Sequence, residues 1–128
     1  MRLTVFAALL ILPVASAFAA ETNSETVHIS FAKRAEIGFA PGAEVVPAVV
    51  RPQLAHVARE LKAALAHEPA TVEVEAHAPT PEARILALQR AVDVRGALVD
   101  DGVPAERINV LVVRTGAPDT VIIYFRRH

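Results

Sequence analysis

The 128-residue sequence contains no cysteine, few aromatic residues (5%) and almost no net charge, −1 by formal count. Without cysteine there is no disulfide and no thiol for a lipid anchor, so packing alone must supply stability. The near-neutral balance, with 21% charged residues, gives no electrostatic support for binding nucleic acid or an anionic membrane surface. Glycine is too scattered for a phosphate-binding loop. Beyond residue 20 the only serines are Ser24 and Ser30, neither in an elbow-like Gly-x-Ser-x-Gly setting, which argues against nucleophilic catalysis. What the chain has instead is apolar residues, 53% of the total, too many for intrinsic disorder and enough for one small domain.

That apolar content is uneven. Residues 1–20 carry one charge, Arg2, then an apolar stretch from Leu3 to Val14, then the small-residue run Ala15-Ser16-Ala17-Phe18-Ala19-Ala20. The stretch is shorter than the roughly 20 residues a membrane span needs, and Ala17 and Ala19 suit a cleavage site. The reading is a secretory signal peptide over 1–20, followed by one domain over 21–128 with no membrane span after cleavage. Cleavage removes one of thirteen basic residues and none of fourteen acids, which leaves a formal net charge of −2.

Beyond the leader, Val27, Ile29 and Phe31 alternate with polar residues, and Ile37 and Phe39 resume the alternation: one long bent strand or a hairpin. Leu54, Val57, Ala58, Leu61 and Leu65 form a helical stripe within 48–66, with Pro52 suited to a first helical position. Thr71 to His77 reads as a strand with Val72, Val74 and Ala76 toward the core. Thr80 before Pro81 and Glu82 reads as the cap of a helix over 81–101, which Gly102 and Pro104 end. Two β-branched runs, Ile108–Val113 and Thr120–Phe125, are spaced to pair as a hairpin. The order βαβαββ implies a parallel pairing through a helical crossover, and so an α+β two-layer sandwich: a mixed sheet with helices on one face.

Several phrases in this order resemble the C-terminal, peptidoglycan-binding domain of the OmpA and MotB family. Ile37-Gly38-Phe39-Ala40-Pro41-Gly42 is similar to its first strand and turn, and Val72-Glu73-Val74-Glu75-Ala76-His77 to the strand leading into its G-H-T-D motif. Leu86-Ala87-Leu88-Gln89-Arg90-Ala91 resembles its L-S-x-x-R-A, and Gly102-Val103-Pro104 its helix-ending turn. The resemblance implies a periplasmic, cell-envelope protein, without catalysis or cofactor, whose partner is the peptidoglycan stem peptide. It also implies that an aspartate and an arginine hold the ammonium and carboxylate groups of diaminopimelate, a pairing that suits both charges.

The implied site is degenerate in this chain. Arg90 stands at the arginine position and His77 at the histidine, but Pro79 replaces the aspartate; Glu82 is the nearest acid able to stand in for it. Arg90, His77 and Glu82 are therefore the candidate ligand residues, and the alternative is a scaffold that binds proteins without peptidoglycan. His56 with Glu60, and Glu75 with His77, supply two ligands each, too few for a metal site. The helix over 81–101 carries a second apolar stripe, Ile85, Leu88, Val92 and Val99, beside the stripe expected to face the sheet, Leu86, Ala91, Val94 and Leu98. This surplus suits an envelope-protein partner or self-association through that helix.

Overall fold

The computed structural model describes residues 27–30 and 34–128; the signal-peptide reading lies outside the described residues. The elements are β1 (Val27–Ser30), β2 (Arg34–Gly38), α1 (Arg51–Leu65), β3 (Ala70–His77), α2 (Arg84–Asp100), β4 (Ile108–Val113) and β5 (Thr120–Arg127), with short 3-10 turns before α1, α2 and β4. The region around 26–39 is thus two antiparallel strands, with Val27 opposite Ile37 and Ser30 opposite Arg34.

The sheet has five strands in the order β1-β2-β5-β3-β4. Only β3 and β4 run parallel, joined by α2 as the crossover helix, with Val72 opposite Ile108. β5 runs antiparallel to both β2 and β3. The two C-terminal strands therefore do not form a hairpin: β3 lies between them, and the 114–119 turn crosses over the end of β3. The reason is legible in their burial. β4 is an edge strand with Asn109 and Leu111 exposed, whereas Thr120 to Ile123 are all buried in the sheet's interior. A strand with neighbours on both sides has few exposed positions, and the run Val121-Ile122-Ile123 suits that place.

On β3, Val72, Val74 and Ala76 face the helices and are essentially inaccessible, while Glu73 and Glu75 face the solvated side. Arg126 Nε donates to Glu73 Oε1 at 2.6 Å across that side, and this hydrogen bond raises the pKa of the guanidinium. Every residue of the expected α1 stripe, Leu54, Val57, Ala58, Leu61 and Leu65, is buried, and Pro52 sits in the first turn. On α2, Ala91, Val94 and Leu98 are buried as expected, together with Ala87, Arg90 and Ala97; Leu86 is only half-buried. Gly102 ends α2 at φ 102°, the left-handed conformation its lack of a β-carbon permits. Thr80 precedes the turn into α2 in an extended conformation, but its side chain makes no capping bond; the Ala83 amide bonds to the Thr80 carbonyl instead.

Candidate functional site

Because the chain must cross the end of β3 to enter β5, one end of the sheet gathers residues from distant positions. Asp119 closes the crossing turn in the left-handed region, φ 58°, a conformation aspartate tolerates better than most residues. Its carbonyl accepts from the Phe39 amide at 2.8 Å, which ties the turn to the end of β2. α2 delivers Arg90 to the same place from the helix side.

Arg90 is buried, at 3% exposure, and its guanidinium donates in three directions. Nε donates to the Ala43 carbonyl at 2.7 Å, one terminal nitrogen to the Ala40 carbonyl at 3.1 Å, and the other to Asp119 Oδ1 at 2.8 Å. The guanidinium also lies 5.0 Å from the centroid of the Phe39 ring, a cation–π distance. The arginine thus fastens the loop after β2, the turn before β5 and α2 to one another. Asp119 was not among the sequence candidates, and its side chain remains 39% exposed. Its second carboxylate oxygen has no hydrogen-bond partner among the described residues.

His77 is brought near the same turn but from the opposite side of the sheet. It follows Glu73 and Glu75 in the outward alternation of β3, and the crossing turn covers it, leaving 8% exposure. Its Nδ1 lies 3.3 Å from the Ala117 carbonyl and its Nε2 3.4 Å from Glu75 Oε1. Gly116, at φ 96°, passes so close that a β-carbon there would sit 2.2 Å from Nδ1. His77 is therefore covered by the turn and supports it. Glu82 is exposed, with no polar partner among the described residues, and contacts neither Arg90 nor His77. The acid that Arg90 meets is Asp119.

His56 and Glu60 approach at 3.6 Å on exposed α1, and no group of three metal-ligating side chains occurs among the described residues. No described helix is long and apolar enough to cross a membrane. The outer stripe of α2 is bare, with Ile85 73%, Val92 53% and Leu88 47% exposed; Val99 is partly covered by the core.

This arrangement of sheet and crossover helix can be compared with known proteins. The sequence model of the OmpA family matches residues 38–123, about two thirds of the length. The chain belongs to the OmpA family. Among solved structures, this OmpA-family chain resembles the peptidoglycan-associated lipoprotein of Burkholderia pseudomallei, at TM-score 0.61 and 19% identity, covering 74% of this chain and 92% of that one. The C-terminal domain of Helicobacter pylori MotB gives TM-score 0.60 and 16% identity over 71% and 83% of the two chains. The OmpA-like domain of FopA1 from Francisella tularensis gives TM-score 0.55 and 14% identity over 81% and 82%. At these identities the likeness establishes the fold. No match is found among curated proteins.

Proposed function

We propose that this OmpA-family chain is an exported, non-catalytic domain of the bacterial cell envelope that contacts the peptidoglycan stem peptide weakly. The observation that carries the reading is the Arg90–Asp119 pair with its outer carboxylate oxygen open. A stem-peptide ammonium group can pair with that oxygen, so Asp119 supplies from the start of β5 the acid that Pro79 removes from the end of β3. The weakness follows from the same geometry. Arg90 already serves three protein acceptors, and a ligand carboxylate reaches it only by displacing one of them. Membership of the family supports the reading, as does the likeness to a peptidoglycan-associated lipoprotein.

Co-sedimentation with purified sacculi tests it. The wild type pellets with sacculi, and Asp119→Asn, which keeps the left-handed turn but removes the charge, loses binding by about tenfold. Failure of the wild type to pellet ends the peptidoglycan reading. A second reading, a protein-interaction module without peptidoglycan binding, is favoured by the bare stripe of Ile85, Leu88 and Val92. It requires no sedimentation with sacculi and a loss of association, measured by sedimentation velocity at micromolar concentration, on Leu88→Glu.

A further inference from the structure

The loop from β3 into α2 borders a cavity of about 130 Å³ lined by Ala78, Pro79, Thr80, Pro81, Arg84 and Arg114. Both of its charged residues are cationic. Arg84 opens α2 and Arg114 follows β4, so the parallel β3–β4 pair and its crossover helix bring two residues thirty positions apart to one concavity. Every other arginine among the described residues meets a carboxylate, a backbone carbonyl or, for Arg59, the His56 ring. Arg84 and Arg114 have no hydrogen bond or ion pair among the described residues, and they share this cavity.

Such a placement is unfavourable for the protein by itself. Two like charges face one small space with no acid on its wall, and Arg84 stands in the first turn of a helix, where the backbone dipole disfavours a cation. An anion between them relieves both effects. The wall is preorganised: Pro79 and Pro81 fix the loop's φ angles, and the Thr80 hydroxyl, unused as a cap, remains available as a donor. The volume corresponds to about four waters, which suits a carboxylate on a short stem rather than a folded partner.

We propose that Arg84 and Arg114 form a carboxylate-binding pocket for an acidic peptide, the peptidoglycan stem, receiving a stem carboxylate other than the one that shares a carbon with the ammonium group. The proposal rests on the peptidoglycan reading above and adds a division of labour: Asp119 meets the ammonium group, and the Arg84–Arg114 pocket meets a carboxylate. Neither arginine belongs to the three candidates read from the sequence.

The test is an NMR titration of the purified protein with a synthetic stem tripeptide containing diaminopimelate, and with the same peptide carrying amidated carboxyl groups. The free acid shifts the amides of Ala78, Thr80, Arg84 and Arg114, and the amidated peptide does not. Arg84→Gln and Arg114→Gln, both at exposed positions, each weaken binding about three- to tenfold while leaving the spectrum folded. Tripeptide binding that shifts only residues around Asp119, or that is equal in the double variant and the wild type, overturns the pocket and leaves the peptidoglycan reading standing. Absence of any tripeptide binding, with no sedimentation on sacculi, overturns both. Shifts of the pocket by inorganic phosphate alone overturn the assignment to a peptide carboxylate.

Discussion

Arg90 is the side chain on which the candidate site is hung, and its stability role can be separated from its ligand role. Arg90→Ala leaves the Ala40 and Ala43 carbonyls without their donor and Asp119 without its counter-charge. Urea unfolding should show a loss of about 2–4 kcal/mol, the range for removing one partner of a buried, charge-assisted network, lowered here because Asp119 is partly solvated. Arg90→Lys should recover only part of that loss, since an ammonium cannot present the planar fork that reaches three acceptors. A resemblance of six residues was enough to single out Arg90. Its partner was not legible, because Asp119 lies 29 positions away and meets it only through the crossing turn. The burial of His77 was hidden for the same reason: local alternation places it on the outer face of β3, and only the path of the chain shows what covers that face.

Periodicity fared well where one element decides its own environment. The α1 stripe and the β3 alternation came through without change because a helix or strand that packs on one layer must show one apolar face. It failed where two elements compete for one neighbour. Ile108–Val113 and Thr120–Phe125 are both apolar and β-branched, and nothing in either run says that β3 will separate them. The start of α2 shows a smaller discrepancy of the same kind: Thr80 has the residue type of a cap but not the bond. Thr80→Ala should therefore change stability by less than about 0.5 kcal/mol in urea unfolding, whereas a working cap would cost roughly 1 kcal/mol. The outer stripe of α2 was legible as surplus, and its exposure follows directly from its position opposite the helix's buried face.

Across the whole molecule, β5 is the strand on which the others converge. It carries the pairings to both β2 and β3, so without it the sheet falls into a two-stranded ribbon and a parallel pair. Ile123, 2% exposed, sits opposite both Ala35 and Val74. Ile123→Ala should destabilise by about 2–5 kcal/mol, the range for such truncations in a packed core, measured by urea unfolding. Ile123→Val should cost only about 0.5–1.5 kcal/mol. A near-neutral Ile123→Ala would mean that the centre of the sheet is not packed as described.

The central place of β5 has a consequence for how the chain is made. Of the described strands it is the last to leave the ribosome, yet its neighbours β2 and β3 have no sheet between them until it arrives. Nascent chains lacking this strand therefore have no complete sheet to close a core around. Such a chain cannot complete its sheet before its last strand is free, an order of events that would serve the export proposed above.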